Sequence, residues 1–558
     1  MTAPLRSFLP AVLVVAAALL AHGAAARGTF HYDDFHQVVR NEAVHGLAAA
    51  PRFFFDPATF DADLRNGTLL RPLTLLSYAL DWARGGGAPG AFLATQVLLH
   101  ALASALVLAV LRRALRDEAQ ALFGALVFAA HPLASESVNL VSARAGVLAA
   151  ALVLLYLAIR LGGGRRALAL AALGAACLAK ESAVVAPALA LALGAERETA
   201  PRRRLLRFAP EAALLLAYVL YRSAVLGGPE LGLSPERLLS SGAVDTGAGR
   251  GLLLNLATQA GALLRAALLA VFPVRLSVDH AMPVVSGPLD PAFLVPLALL
   301  AAAAVALRRC PSLPVRRGAL VFVLAAAPTI LVPLNVVLAE ERYYLSLLGV
   351  ALAAGFALGA LAAPRPRAAR LAAAAIVLFF AARSFDRTID FRSEARLWAS
   401  AVDAGRAGPR AHLSLGNALL HAGETKEAVA SYRSAVASAG FSAAQPFAIL
   451  NLSEALRRLG AETGDAAVFD RACRVLEPLR SSPNAGLRAM ARYRSALVLC
   501  DRFERFGDPS VGEAASREYR AILEEHPDEA DAWRGLARVA LAVRARNISV
   551  SEPAAPSE

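Results

Sequence analysis

Long runs of apolar residues, separated by short polar segments, dominate the first two-thirds of the chain. The first run covers residues 9–26, and many later runs approach the roughly 17–25 residues with which a helix crosses a membrane. The later runs lie near residues 89–111, 119–131, 145–161, 167–179, 182–195, 208–226, 251–273, 291–307, 318–338, 345–363 and 371–383. Several are short or interrupted by proline, so the pattern predicts roughly ten to twelve spans. The run at 251–273 is open between a span and an interfacial helix.

Composition agrees with a polytopic membrane protein. Apolar residues make up 57% of the chain and the mean hydropathy is +0.51, whereas soluble proteins contain roughly 45–50% apolar residues. We therefore predict an all-α fold, with a polytopic membrane domain at residues 1–383.

The residues after 383 have a mixed, soluble composition and contain a repeat. Six features fall where a tetratricopeptide repeat places its packing residues: Leu415-Gly416, Gly423, Glu427, Ala428, Tyr432 and Ala435. Degraded copies follow around 451–473 and 518–527, and residues 532–537 open a further helix that could cap the array. This pattern predicts a short helical solenoid at 384–545 and a disordered tail at 546–558. Such a solenoid offers a concave surface to a polypeptide, although a structural appendage without a ligand is the alternative.

The net charge of +13 comes largely from arginine clusters in short loops, such as 202–207 and 365–370. Clusters of this kind between spans mark cytoplasmic loops, so the charge does not indicate nucleic-acid binding. The remaining loops then face outward, including a first external loop at 27–88. The last span runs outward as well, which places the repeats in the periplasm, or in the lumen of the endoplasmic reticulum if the source is a eukaryote. Small residues before Arg27 also resemble a signal-peptidase site, so cleavage stays open.

Two adjacent carboxylates, Asp33 and Asp34, follow the first apolar run. Paired acids at the rim of a membrane domain suit a transferase that must deprotonate an acceptor. Two carboxylates could also hold a divalent cation, so a metal requirement stays unknown. The four cysteines have no metal-binding spacing, and we find no Walker loop or other cofactor motif in a supporting context.

Further polar residues lie between spans on the same predicted outer face. An ionisable residue at membrane depth is costly unless it lines a cavity, so each one is a candidate for function. The set comprises Arg71, His131, Glu136, Arg144, Lys180, Glu181, Arg342 and Tyr343. Each alone could be a solvated loop residue or part of an ion pair such as Lys180 with Glu181. Together, cations around one cavity suit a phosphate-bearing lipid donor, and an acid suits a hydroxyl acceptor.

In this order the motifs resemble the transmembrane and tetratricopeptide-repeat-containing O-mannosyltransferases, within the GT-C class of membrane glycosyltransferases. The residues that carry the resemblance are Tyr32-Asp33-Asp34 with Asn41, Arg71-Pro72-Leu73, Gln96 to His100, His131-Pro132 with Glu136 and Arg144, Lys180-Glu181, Glu341-Arg342-Tyr343-Tyr344, Leu397-Trp398 and the repeats. The series is specific as a whole, whereas no single motif is decisive.

The resemblance implies a polyprenyl- or dolichyl-phosphate sugar donor, a hexose such as mannose, and transfer to a protein Ser or Thr hydroxyl. Asp33 or Asp34 would be the base while its neighbour positions the acceptor. Arg144, Lys180 and Arg342 would contact phosphate, and His131 and Glu136 would support the site. The repeat array is short and the external loop at 227–250 is small, so a lipid or glycan acceptor stays open.

Two other classes of function fit part of the pattern. A transporter or flippase would have as many spans, but the polar residues gather at one rim and we see no inverted repeat around a midplane site. A scaffold for envelope assembly would use the repeats as its working surface and the spans as an anchor. We expect the glycosyltransferase, in a bacterial inner membrane or in the membrane of the endoplasmic reticulum.

Overall fold

The computed structural model describes residues 3–62, 69–115, 117–194, 202, 206–227, 252–334, 336–405, 407–439 and 444–546. Throughout these residues the regular secondary structure is helical and contains no strand. The predicted all-α class is therefore confirmed. The predicted disordered tail lies, from residue 547 onward, outside the described residues, as does almost all of the loop at 227–250.

The first part of the chain contains fourteen of the helices that we number here. They are α1 (Ala3–His22), α2 (Pro72–Gly85), α3 (Pro89–Leu115), α4 (Glu118–Ala130), α5 (Ser135–Asn139), α6 (Arg144–Leu161), α7 (Arg166–Ala179), α8 (Ala186–Ala192), α9 (Ala209–Leu226), α10 (Leu252–Val271), α11 (Pro291–Arg309), α12 (Leu313–Leu331), α13 (Leu347–Ala362) and α14 (Pro366–Asp390). Short 3₁₀ turns connect them at Gly23–Arg27, Glu42–Val44, Ala50–Phe54, Pro57–Thr59, Pro132–Ala134, Glu181–Val185 and Glu340–Tyr343, and Phe35–Val39 is a π-helix.

In the described part of the chain, eight helices are long and apolar enough to cross a membrane, or nine if the bent pair Glu118–Ala130 with Pro132–Asn139 is one span. The chain is thus a multi-pass membrane protein. The runs predicted near 167–179, 182–195 and 345–363 instead form shorter apolar helices. The undecided run near 251–273 forms α10, which has the length and composition of a span.

Small residues let the helices of the membrane region pack closely. A Cβ atom on Gly318 of α12 would lie 2.5 Å from the carbonyl oxygen of Gly349 on α13, too close for any side chain. Between these helices and α3, α4 and α6 lies a large apolar core that includes Leu108, Phe128 and Val153. Because lipid is as apolar as this core, packing at small residues rather than burial holds such helices together.

The two ends of helix α6 lie near different groups of charged residues. It begins at Arg144 and ends at Leu161, and its 18 residues correspond to a length of about 27 Å. Near its last turn, Arg160 and Arg166 both contact the buried carboxylate of Glu211, at 3.2 and 2.7 Å. Arg160 and Arg166 therefore lie near one end of this helix, and Arg144 lies at the other.

The residues from 401 onward form a second compact unit, and the first unit ends at Ser400. Helix α15 (Glu394–Asp403) runs across this limit. The second unit contains α16 (Pro409–His421), α17 (Thr425–Ala439), α18 (Ala444–Thr463), α19 (Ala466–Arg474), α20 (Glu477–Arg480), α21 (Ala485–Phe506), α22 (Pro509–Glu525) and α23 (Ala530–Ala545). The domain limits predicted from sequence, 1–383, 384–545 and 546–558, stay predictions.

Helical hairpins in the second unit pair a glycine with an aromatic ring. A Cβ atom on Gly416 would lie 2.6 Å from the ring of Tyr432, and one on Gly460 would lie 2.8 Å from the ring of Phe469. Both contacts join neighbouring antiparallel helices, α16 with α17 and α18 with α19. This is the packing expected of tetratricopeptide repeats, although the assignment to that repeat family stays a prediction.

Candidate active site

Five segments of the sequence meet at the end of α6 that begins with Arg144. The carboxylate of Asp34 accepts hydrogen bonds from the backbone of Val141 and Ser142, and the hydroxyl of Thr74 donates to the carbonyl of Ala179 at 2.9 Å. The carboxylate of Glu136 accepts from the backbone N–H of Glu341 at 3.1 Å. The first loop, the start of α2, the residues around 136–144 and the turns near 180 and 341 thus form one region.

The paired aspartates have opposite environments. Asp34 is fully buried, and it accepts backbone N–H bonds from His31 at 3.0 Å and from Ser142 at 2.6 Å. Burial raises the pKa of Asp34, although the two backbone donors oppose that rise. The side chain of Asp33, by contrast, is 61% exposed. Of the two carboxylates, only that of Asp33 is therefore accessible to a substrate in this conformation. The hydrogen bonds of Asp34 hold the first loop against the start of α6.

Arg71 and Glu181 form a two-pronged ion pair. The Nε of Arg71 donates to Oε2 of Glu181 at 2.9 Å, and Nη2 donates to Oε1. The guanidinium also lies 5.6 Å from the ring of Phe60. The structure therefore brings Arg71 and Glu181 together as a pair. Through this pair, Arg71 fixes the turn that carries Glu181.

Lys180 lies at a break between α7 and the 3₁₀ turn that begins at Glu181. Its backbone is extended, with φ −156° and ψ 134°, and its ammonium points at the first turn of α6, where a Cβ on Gly146 would be 3.5 Å away. A pocket of about 50 Å³ opens here, with Lys180, Ser182, Thr329, Glu341 and Arg342 among its polar lining. This pocket joins two predicted cations to one acid, Glu341, which belongs to the motif Glu341-Arg342-Tyr343-Tyr344 but is not among the predicted site residues.

Arg144 is buried in protein instead of facing a pocket. Its guanidinium pairs with Asp81, and it also donates to the side chain of Gln96 and to the backbone carbonyl of Phe92. It lies 5.1 Å from the ring of Tyr78, whose hydroxyl donates to the carbonyl of Val141. Arg144 thus holds α2, α3 and α6 together. Sequence alone gave no signal that Asp81 is its partner.

Three further predicted site residues are buried away from the Lys180 pocket: Glu136, His131 and Tyr343. The two ring nitrogens of His131 are used by the backbone N–H of Leu133 and the carbonyl of Ala270, at 3.1 and 3.0 Å. Tyr343 is buried against Phe322, with ring centroids 6.1 Å apart. None of the three lines the pocket at Lys180, although Glu136 binds the backbone that carries Glu341.

An apolar pocket of about 350 Å³ adjoins the Lys180 break. Its lining comprises Phe54, Phe55, Gly174, Cys177, Leu178, Leu214, Ala217, Tyr218 and Tyr221. Cys177 and Leu178 belong to the last turn of α7, directly before Lys180. The apolar pocket therefore lies beside the end of α7 that leads into the Lys180 break. Among the described residues, no group of three or more metal-ligating side chains has the geometry to hold a metal ion.

Comparison with known proteins bears on part of this chain. No protein-family model matches it. It is 37% identical over 123 residues to the protein O-mannosyl-transferase Tmtc2 of Drosophila melanogaster, and 32% identical over 149 residues to the protein O-mannosyl-transferase TMTC1 of Mus musculus. The predicted family resemblance is confirmed.

The resemblance to these O-mannosyl-transferases is partial. The aligned residues are 22% and 26% of this chain, and they span only 13% and 16% of the two relatives. Among solved structures, the crystal structure of ArnT from Cupriavidus metallidurans bound to undecaprenyl phosphate is similar over 95% of this chain and 76% of that one. The TM-score is 0.39 and the sequence identity 14%.

Proposed function

We propose that this chain is a membrane glycosyltransferase that moves a hexose such as mannose from a polyprenyl- or dolichyl-phosphate donor to a hydroxyl, with Asp33 as the general base. The observation that carries the proposal is the exposed carboxylate of Asp33, next to Asp34, which is bonded to the residues that lead into the Lys180 pocket. The partial similarity to O-mannosyl-transferases supports the reaction class.

The reaction follows from the chemistry of these groups. The acceptor oxygen attacks C1 of the sugar, the bond between C1 and the phosphate oxygen breaks, and the lipid phosphate leaves with that electron pair. The hydroxyl proton passes to the Asp33 carboxylate. Attack opposite the leaving phosphate inverts the configuration at C1.

Lys180 and Arg342 are our candidates for the leaving phosphate. Both line the same small pocket, and cations aimed at a developing phosphate charge lower the barrier to its departure. Six other residues would support the site by holding its segments in place: Arg71, Glu181, Glu136, His131, Tyr343 and Arg144. The apolar pocket ahead of Lys180 would take the first isoprene units of the donor.

A Ser or Thr residue of a polypeptide is the proposed acceptor, and the repeat unit is the proposed surface for it, on the periplasmic or luminal side. Helices α16, α18, α21 and α23 contact one another in series. The amide of Asn451 on α18 donates to Oδ1 of Asn417 on α16 at 2.9 Å, and Tyr432 on the neighbouring α17 donates to the same oxygen at 2.8 Å. These two bonds do not use the NH2 group of Asn417 or the amide carbonyl of Asn451, and such groups match the bonding groups of a peptide backbone.

Mass spectrometry of glycans on exported proteins and envelope polymers, with and without the gene, tests this proposal. We expect a hexose on Ser or Thr residues to disappear on deletion and to return with the wild-type gene but not with Asp33→Asn. Loss of lipid translocation with unchanged glycans would indicate a flippase. Full rescue by Asp33→Asn would refute Asp33 as the base.

A further inference from the structure

A histidine in the first external loop lies between two carboxylates. The Nε2 of His36 is 3.3 Å from Oδ1 of Asp33, and its Nδ1 is 3.0 Å from Oδ2 of Asp61. The three side chains are 61%, 17% and 3% exposed in the order Asp33, His36, Asp61. The row therefore runs from the solvent-facing acid to an acid in the interior of the loop.

Backbone and amide hydrogen bonds hold the two sides of this row together. The backbone N–H of Ala62 donates to the carbonyl of His36 at 3.1 Å. The side-chain amide of Asn41 donates to the carbonyls of Gln37 and Thr59, at 3.2 and 2.9 Å. The π-helix that carries His36 and the turn that precedes Asp61 are thus fixed relative to each other, so Asp61 stays within ion-pair distance of the imidazole independently of Asp33.

We propose that His36, held by Asp61, is a positioning residue that fixes the carboxylate of Asp33 for proton abstraction. The inference rests on the proposed function, since it assumes that Asp33 is the base. His36 engages Oδ1 of Asp33, so Oδ2 is the oxygen left for the acceptor hydroxyl. Restricting the carboxylate to one orientation raises the fraction of encounters in which the reacting atoms are aligned.

The positioning role proposed for His36 depends on whether its imidazole is protonated. The hydrogen bond that His36 donates to Asp33 raises the pKa of His36, and the nearby carboxylate of Asp61 adds to the rise. These two acids face the imidazole from its own segment and from the turn packed against it, while Glu42 on the adjoining 3₁₀ turn is exposed. His36 is protonated below its raised pKa and binds Asp33 as a cation; above that pKa it loses the charge, and its hold on Asp33 weakens.

The test uses the full-length protein in vesicles, with polyprenyl-phosphate mannose as donor and a Ser/Thr-containing peptide as acceptor. His36→Leu should lower kcat by about tenfold to a hundredfold with little change in the donor KM. His36→Gln keeps a donor near Asp33 without a titrating group, so it should restore much of kcat and flatten the alkaline limb of the pH profile. Asp61→Asn should move that limb to lower pH, by about one unit.

His45→Gln is the matched control, because His45 lies in the same loop but stacks on Trp82 with ring centroids 3.6 Å apart. It should leave the pH profile unchanged. An alkaline limb that stays in place in both His36→Gln and Asp61→Asn would overturn the inference, even if His36→Leu fails to fold. If Asp33→Asn is fully active, the proposed function fails instead. If Asp33→Asn is inactive while the pH profiles of His36→Gln and Asp61→Asn match wild type, only the positioning role of His36 fails.

Discussion

The buried carboxylate of Asp34 accepts a hydrogen bond from the backbone N–H of Ser142, with an oxygen-to-nitrogen distance of 2.6 Å. This bond ties the first external loop to the residues that lead into α6. It also explains why two adjacent acids differ so much in exposure: one is used as an anchor, and its neighbour is turned outward.

Asp34→Ala should therefore destabilise the protein more than Asp33→Ala. The first change leaves the buried N–H group of His31 and the half-buried N–H group of Ser142 without this acceptor, at a cost of about 1–3 kcal/mol. The second removes an exposed side chain. Thermal unfolding in detergent, followed by tryptophan fluorescence, measures the difference. Equal melting temperatures for the two variants would contradict the anchoring role of Asp34.

Arg144→Met should be strongly destabilising, because it leaves the carboxylate of Asp81 buried without its partner. Breaking a buried ion pair from one side costs about 3–5 kcal/mol. The double variant Arg144→Met with Asp81→Leu should recover part of this loss, because no buried charge is then left unpaired. The yield of folded protein by size-exclusion chromatography checks both variants. A stable, inactive Arg144→Met protein would instead support direct contact of Arg144 with substrate.

The ion pair of His31 with Glu394, at 3.1 Å, should stabilise the protein within a limited pH window. Burial alone would lower the pKa of His31, but its hydrogen bonds to Glu394 and to the carbonyl of Phe391 outweigh this and raise it. Burial would raise the pKa of Glu394, but bonds from His31 and Trp398 lower it. The contribution is lost as pH rises through the raised pKa of His31 and as pH falls through the lowered pKa of Glu394.

Melting temperatures of wild type and Glu394→Gln, measured from pH 3 to pH 9, test this window. The gap between the two proteins should be widest between about pH 4.5 and 6.5, where both groups are charged in the folded and unfolded states. It should narrow toward both extremes. A gap that does not change with pH would show that the pair acts only as a neutral hydrogen bond.

Lys180→Gln should weaken binding of the lipid-phosphate donor. A charge-assisted hydrogen bond contributes about 1.5–3 kcal/mol, which corresponds to a donor KM raised by roughly tenfold to a hundredfold. Lys426→Gln in the second unit is the matched control, since it removes the same charge far along the chain from the pocket. An unchanged donor KM in Lys180→Gln would remove Lys180 from the phosphate site.

The sequence predicted the helical class and the common location of the polar segments for physical reasons. Long apolar runs predict helices in a lipid environment, and placing the arginine-rich loops on one side predicts that Asp33, Lys180 and Arg342 share the other. The ion pair of Arg71 with Glu181 and the contact of Glu136 with Glu341 agree with that arrangement.

The different roles of the residues within the site could not be predicted from the pattern of apolar runs and charged loops. Whether Asp33 or Asp34 is buried depends on backbone amides more than a hundred residues away, at Val141 and Ser142. Arg144 was expected to contact phosphate, but its partner Asp81 lies on another helix and leaves no trace in local spacing. The contact of His36 with Asp33 does have a local signal, the i to i+3 spacing, whereas the contact with Asp61 does not.

The most direct test of the account is sugar transfer by purified protein in vesicles, comparing Asp33→Asn with Asp56→Asn. Asp56 is an acid of the same loop that is paired with Arg52 at 2.7 Å, so it controls for the loss of a carboxylate. We predict that Asp33→Asn inserts and melts like wild type but transfers mannose from polyprenyl-phosphate mannose to a Ser/Thr peptide about 10²- to 10⁴-fold more slowly. Asp56→Asn should retain wild-type transfer. Wild-type transfer by Asp33→Asn would contradict the account.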